Sequence, residues 1–430
     1  MASPESSVAE AMARLNTLTD WERRPRRTMR VSLEPMRDLA ARLGDPQDAF
    51  RVVHVAGTKG KGSVSALIEA ALVHAGLAVG RYASPHVERV TERVSLGGQE
   101  VGEGILARAL TVALDAYEAA RRDRTAARDA TWFDLLTAAA FLIFREARVE
   151  WAVVEVGLGG RIDSTNIVDG EVAVVTNIDL EHTEILGSTR AAIAGEKVGI
   201  LKAGAVLVTT LPARDEAGVV LQGQADALGS PVVRAPLSRG ATIEETNVAL
   251  AGAVLNELGR QGIRARSGEP VDAALLDART RAGARLIGRM ERVEAASGET
   301  PLVVVFDGAH VPFNIAAVLR DLARMPDLAG RCVAVVALAS DKDAEGFLAK
   351  LAKRASAAIF THVPSATRSR DPQELAQIAA RLKLKSEVEP DPVQAFRRGL
   401  ERAAASRSWL LVTGSLYLVG ALRGMPKERG

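Results

Sequence analysis

Residues 51–72, RVVHVAGTKGKGSVSALIEAAL, decide how this chain is read. The stretch opens on β-branched residues (Val52, Val53, Val55), crosses a loop holding Gly57, Gly60 and Gly62, and is expected to become helical at Ser63. Strand, glycine-rich turn and helix in that order form the arrangement that cradles phosphate. Glycines let backbone N–H groups converge on an anion with no Cβ in the way, and the helix N-terminus adds positive potential. Lys61 is placed to reach the terminal phosphates, and Ser63 offers a hydroxyl to the nucleotide or its Mg²⁺. The spacing departs from G-x-x-x-x-G-K-[ST], since Gly62 falls between Lys61 and Ser63. A loop that was merely flexible would leave the strand before it and the helix after it without a reason.

Outward from that loop, 430 residues are enough for two or three domains. The 55 basic and 53 acidic side chains leave a net charge of +2, which argues against a nucleic acid as partner. The one cysteine, Cys332, sits in the apolar run CVAVVALA and reads as a core residue. It cannot form an internal disulfide, which suits a reducing compartment. The N-terminal segment carries Glu5, Glu10 and Asp20 and no apolar stretch of the secretory kind. The longest apolar runs, near 138–144 and 332–339, are far short of a membrane span. A soluble, cytoplasmic protein with no membrane partner is expected.

Residues 1–50 read as helix with a basic centre, Arg23, Arg24, Arg26, Arg27 and Arg30, whose plain reading is a solvated face. Next come a strand near 78–83, Ser84-Pro85-His86, a hairpin over 88–101 turning at Leu96-Gly97-Gly98, and helices over 103–124 and 131–147. The strand 151–156 (WAVVEV) delivers Glu155 at its carboxyl end. An acid there, beside a phosphate loop, is where a nucleotide-binding sheet sets a Mg²⁺ ligand. Gly157-Leu158-Gly159-Gly160 lacks G-x-G-x-x-G spacing and leads into loop, so a dinucleotide-binding oxidoreductase is rejected. A strand over 172–178 delivers Asp179-Leu180-Glu181-His182-Thr183, putting His182 at a strand end of the same kind.

Strands near 205–210 and 231–235 complete an alternation of strand and helix. The fold class is therefore α/β: a mostly parallel, doubly wound sheet with helices on both faces. The pattern restarts near 286–294, with strands over 301–307, 331–339, 357–362 and 409–413 and helices over 314–324 and 372–382. The boundary falls near residue 284, giving a larger domain 1–284 and a smaller α/β domain 285–430.

The stretches HVAGTKGKGS, SPH, TWFDLLTAAAF, VVEVGLGGRIDSTN, DLEHTEILG, GEKVGILK, FDGAH, SDKD and VTGSLYLVG run in this order from about residue 51 to 421. Through them the chain resembles the folylpolyglutamate synthase/dihydrofolate synthase family, a branch of the Mur-type ATP-dependent ligases. The resemblance implies that 1–284 is a central-type domain binding ATP and folate, and 285–430 a C-terminal-type domain. It implies amide formation in two steps. ATP phosphorylates a carboxylate of dihydropteroate or a folate, and the α-amino group of L-glutamate then displaces phosphate from the acyl phosphate. Phosphoryl transfer between two anions needs positive charge at the γ-phosphate more than it needs an acid or base.

Matched to the family pattern, Gly57, Thr58, Gly60, Lys61, Gly62 and Ser63 would hold the triphosphate. Ser84, Glu155, His182 and Lys197 would ligate Mg²⁺, two ions being expected, with Lys197 as a carbamate formed from CO₂. Lys61, Glu155, His182 and Lys197 form the implied catalytic set. The plain alternative for Lys197 is a helix-surface lysine paired with Glu196 or a phosphate. Thr131, Phe133 and Asp134, with Ile162, Asp163 and Ser164, would form the pterin pocket, Asp163 on ring N–H donors and Phe133 as an apolar wall. Core packing is the alternative for Phe133. Asn247 would face adenine, and Arg289 and Asp307 match nucleotide-binding positions, with His310 nearby. A hinge near 284 and a monomer are expected. Four departures stand out: Lys59 for asparagine, Asp134 for glutamate, Glu181 for aspartate, and Val311 for asparagine in DGAHNP. Two rivals remain, the same ligation on another carboxylate and a non-catalytic nucleotide-binding regulator.

Overall fold

The computed structural model describes residues 7–21, 32–298, 300–363 and 369–425. The basic cluster Arg23, Arg24, Arg26, Arg27 and Arg30 lies outside the described residues. The chain divides into two compact units, Met1–Ala284 and Arg285–Gly430.

The first unit holds strands β1 (Arg51–Ala56), β2 (Val79–Tyr82), β3 (Val94–Leu96), β4 (Gln99–Glu100), β5 (Trp151–Glu155), β6 (Gly170–Val175), β7 (Val206–Thr209) and β8 (Val232–Arg234). They form one sheet in the order β4-β3-β2-β5-β1-β6-β7-β8, parallel except for β3 and β4 at one edge. The central strands are apolar on both sides, as a sheet covered by helices on two faces requires. Their side chains alternate between the faces. Val53 and Val55 pack with Val64, Ile68 and Leu72 of the helix Lys61–His74 and with Leu250 and Val254 of Ile243–Arg260. Val52, Ala152 and Val154 join a second core with Leu110 of Glu103–Asp123 and Leu136, Phe141 and Phe144 of Trp132–Glu146. Ala56, Val156 and Val175 join a third with Ile193 and Val198 of Arg190–Val198.

This topology places β5 on one side of β1 and β6 on the other. Val55 stands opposite Glu155 and Ala56 opposite Val175, so three adjacent carboxyl ends emerge together. In an open parallel sheet, ligands bind at such a point.

Three expectations need correction. The helix after the phosphate loop begins at Lys61, two residues early, because Gly60 takes the left-handed conformation (φ +84°) at its N-cap and turns the chain at once. β6 ends at Val175, not 178; Thr176 and Asn177 leave the ladder to hold the phosphate loop. Residues 1–50 are not one helix: the described part contains Val8–Leu15, Glu34–Arg42 and the short turn Pro46–Ala49.

The second unit is a six-stranded sheet of β9 (Glu291–Ser297), β10 (Thr300–Asp307), β11 (Cys332–Val336), β12 (Ala355–Phe360), β13 (Ser386–Val388) and β14 (Trp409–Thr413). Its order is β13-β12-β11-β14-β10-β9, parallel apart from β9. Two edge strands escaped the sequence reading. β9 mixes charged and small residues and alternates between partly buried and exposed positions with none fully buried, and β13 is three residues long. Cys332 is buried, as expected, and its thiol is pushed up to about 12 by burial. Among the described residues, no helix is long and apolar enough to cross a membrane.

Candidate active site

The phosphate loop is held open by its neighbours on β6's exit. Thr58 N–H donates to the Asn177 carbonyl at 2.9 Å, Lys59 N–H to Asn177 Oδ1 at 2.9 Å, and Thr176 Oγ1 to the Lys59 carbonyl at 2.6 Å. Gly57 is at φ +147°, and a Cβ there would lie 1.8 Å from Thr176 Oγ1, so only glycine admits this approach. A Cβ on Gly60 would lie 2.9 Å from Asn247 Oδ1, which places Asn247 directly beside the loop. Lys61, Gly62 and Ser63 are the first three residues of the helix, where N–H groups have no intrahelical partner and face an incoming anion.

Charged groups converge on the mouth of this loop. Lys61 Nζ donates to the Gly57 carbonyl at 3.2 Å and stands 3.9 Å from Glu155 Oε1. Glu155, at the tip of β5, is buried and accepts the Ser84 N–H on Oε2 at 3.2 Å. Ser84 and Glu155, two of the expected metal ligands, are thus adjacent, and Lys61 stands beside them. His182 sits at φ +55°, a conformation few non-glycine residues adopt, with Nε2 3.9 Å from Glu181 Oε1. Among the described residues, no group of three or more His, Cys, Asp or Glu side chains is arranged to hold a metal by itself. A hydroxyl, a carboxylate and phosphate oxygens are the hard oxygen donors that suit Mg²⁺, and the imidazole adds a borderline nitrogen donor to them.

Lys197 is only 5% exposed, which rules out the surface alternative, and the carboxylate of Glu196 belongs to Arg161 at 2.8 Å. Burial, with the charge of Lys61 and then Lys59 adding and Glu181 and Asp163 opposing, lowers the Lys197 amine to about 7.

The six expected pterin residues come from two segments that the fold joins. Thr131 caps the helix Trp132–Glu146 in a reciprocal box with Asp134, Oγ1 and N–H both donating to Asp134 Oδ2 at 2.7 Å. The other oxygen, Asp134 Oδ1, accepts from Ser164 Oγ at 2.6 Å. The departure from glutamate therefore leaves a carboxylate short enough to serve as both helix cap and cross-link. Burial raises its pKa, with the hydrogen bonds from Ser164 and Thr131 opposing. The Phe133 ring packs on the core, 5.9 Å from the Tyr82 ring, and lies against Gly157 of the glycine run. Ile162 is half-buried beside them.

Asp163 is bound more tightly into its own loop than the sequence suggested. Its Oδ2 accepts Leu158 N–H at 2.8 Å, and Oδ1 accepts Thr165 N–H at 3.0 Å and Thr165 Oγ1 at 2.5 Å. Burial raises its pKa while these bonds, with one from Gly157, lower it. Behind it, His54 of β1 lies 3.0 Å from Thr165 Oγ1. The hydroxyl's one proton goes to Asp163, so the imidazole donates and carries its proton on Nε2. Burial, then the charge of Lys202, pushes His54 down to about 3, so it is neutral.

Comparison with known proteins identifies the family. Residues 55–252 match the Mur ligase middle domain and 288–416 the Mur ligase glutamate ligase domain. The dihydrofolate synthase/folylpolyglutamate synthase of Escherichia coli is 35% identical over 336 residues, 76% of each chain. That of Bacillus subtilis is 31% identical, over 92% of this chain and 95% of its own. The chain belongs to the Mur ligase family. Two solved structures of the family share its fold closely. One is E. coli FolC in complex with DHPP and ADP, with a TM-score of 0.80 and 29% identity over 98% of both chains. The other is the Yersinia pestis bifunctional enzyme complexed with AMPPNP and Mn ion, with a TM-score of 0.79 and 28% identity over 98% of this chain and 99% of that one.

In the Mur ligase glutamate ligase domain, Arg289, Asp307 and His310 gather at the end of β10. Asp307 accepts Met290 N–H at 2.9 Å and Ala309 N–H at 2.8 Å, and His310 Nδ1 lies 2.8 Å from the Gly308 carbonyl. Arg289 Nη1 donates to the Gly288 carbonyl at 3.3 Å, close over Gly308. Val311, the fourth departure, is the N-cap of Pro312–Leu322 and gives it no side-chain bond. Sequence reasoning missed Thr176, Asn177, His54 and Thr165. Asn177 carried a weak signal as a polar residue at a strand exit, His54 and Thr165 lay inside the quoted stretches HVAGTKGKGS and VVEVGLGGRIDSTN without being singled out, and Thr176 carried none.

Proposed function

We propose that this Mur ligase is an ATP-dependent enzyme that adds L-glutamate to dihydropteroate, to folates, or to both, through an acyl phosphate. The observation that carries the reading is the convergence of the phosphate loop, Lys61 and buried Glu155 where β1 and β5 end side by side. Gly60, Gly62 and Ser63 would receive the triphosphate on backbone N–H groups, with Gly57 and Thr58 shaping the loop against Thr176 and Asn177 and the Lys61 ammonium over the terminal phosphates. Asn247, beside Gly60, would steady the nucleotide, and Arg289, Asp307 and His310 are the nucleotide residues assigned to the second unit.

Ser84, Glu155, His182 and carbamylated Lys197 would hold Mg²⁺, as two ions, which supplies positive charge to the transferring phosphoryl group. With an amine pKa of about 7, Lys197 is largely uncharged just above neutrality. Its nitrogen lone pair can then attack CO₂, the N–H proton leaving to solvent as the carbamate forms. Thr131, Asp134 and Ser164 are cross-linked into a rigid edge, Phe133 and Ile162 supply the apolar surface, and Asp163, fixed by Thr165 and Leu158, presents its remaining lone pairs to a ring N–H. A monomer working in the cytoplasm completes the reading, to which one buried cysteine is suited.

The test is ADP release by purified protein with ATP and Mg²⁺. Release should require L-glutamate together with dihydropteroate or a folate, with dihydrofolate or the glutamate-extended folate as product. ADP formed without ligated product, or ligation to a different acid only, would overturn it.

A further inference from the structure

Lys59 and Glu181, two of the departures from the family pattern, stand 122 residues apart in sequence and meet in space. Lys59 Nζ donates to Glu181 Oε1 at 2.9 Å, and the side chains are 18% and 8% exposed. The lysine's backbone is held at both ends of its residue, its N–H on Asn177 Oδ1 and its carbonyl under Thr176 Oγ1. The preceding residue is clasped too: Thr58 Oγ1 accepts Asp179 N–H at 3.0 Å and donates to the Asp179 carbonyl at 3.3 Å. Glu181 Oε1 in turn is 3.9 Å from His182 Nε2. The extra cation expected in the phosphate loop is therefore neutralised where it stands.

Each charge would act on a nucleotide if its partner were removed. Without Glu181, the Lys59 ammonium would attract the phosphates as a second lysine beside Lys61; without Lys59, the Glu181 carboxylate would repel them. At this burial, removing one partner leaves a charge that water compensates poorly. We infer that Lys59 and Glu181 are a positioning pair for the nucleotide site, each holding the other's charge off the phosphates and together fastening the phosphate loop to the segment that carries His182. The inference rests on the proposed reading of that loop as a nucleoside triphosphate site.

The experiment is calorimetric binding of a non-hydrolysable ATP analogue, with Mn²⁺ and with chelator, to the full chain and its variants. Lys59→Met should weaken binding about tenfold and Glu181→Gln should tighten it by about threefold, opposite signs being the mark of charge. The double variant Lys59→Met/Glu181→Gln should return to within about threefold of the parent, since both charges leave together. Lys59→Arg, which keeps the ion pair, should bind as the parent does. In turnover, Glu181→Gln should lower kcat and KM for ATP together, as a freed Lys59 holds the nucleotide too tightly. If both single variants shift binding the same way, in step with their melting temperatures, or neither shifts it, the pair is only structural and the inference fails. A parent protein that binds no analogue overturns the nucleotide reading itself, and the two failures are distinct.

Discussion

Replacing Lys197 by methionine in CO₂-depleted buffer should make the protein more stable at about pH 7 while abolishing ligation. The amine titrates at about 7 in the fold against an ordinary 10.5, chiefly because burial strips its water and secondly because Lys61 is close. Between those values the unfolded chain binds the proton and the folded chain does not. Stability therefore rises with pH across the window from about 7 to about 10.5, and the burden is full below the folded value. At about 1.4 kcal/mol per unit, it amounts to about 4 kcal/mol at about pH 7. Methionine has nearly the same length and no charge, so it should recover much of this. Urea unfolding of parent and variant at about pH 7 and about pH 9.5 reads the difference, which should be large at the first and shrink at the second. Added bicarbonate should raise the parent's midpoint, as the carbamate replaces a buried ammonium next to Lys61 with an anion, and leave Lys197→Met unmoved. A stability gap that does not change with pH would mean that Lys197 keeps its proton in the fold, and the basis for its ready carbamylation would be gone.

Glu155→Gln should abolish turnover with an unchanged melting profile and far weaker Mn²⁺ binding in the presence of nucleotide; near-normal turnover would remove Glu155 from the metal site. Gly57→Ala should cost the phosphate loop its shape, since the new methyl lies where Thr176 Oγ1 sits. Nucleotide affinity should fall by more than about tenfold, and unaltered binding would show that the loop tolerates a different path. Val311→Asn should raise the stability of the second unit by about 1 kcal/mol, measured by denaturant unfolding, by capping Pro312–Leu322. No gain would show that the uncapped amides already have partners.

What was legible in the sequence was local and periodic. The phosphate loop could be read because strand, glycines and helix follow one another within about twenty residues. Glu155 could be read because an acid ending an apolar run is rare without cause. What could not be read depended on distance in sequence. Residues 172–178 look like one apolar strand, yet Thr176 and Asn177 leave it for the phosphate loop, well over a hundred residues earlier in the chain. Asp163 carries its family motif in plain view, but only the fold shows that Thr165 and Leu158 already hold both its oxygens. Lys59 and Glu181 looked like two separate departures; the structure makes them one ion pair. Strand β9 was passed over because Glu291, Arg292 and Glu294 leave it without an apolar run, as suits a sheet edge and not a buried centre.

The central claim, that a carboxylate is activated by phosphorylation before glutamate attacks, is tested most directly with dihydropteroate labelled with ¹⁸O in its carboxyl group. Turnover with ATP and L-glutamate should release inorganic phosphate carrying one labelled oxygen, transferred when the acyl phosphate breaks. Phosphate free of label, from a reaction that still yields the amide, would contradict the account.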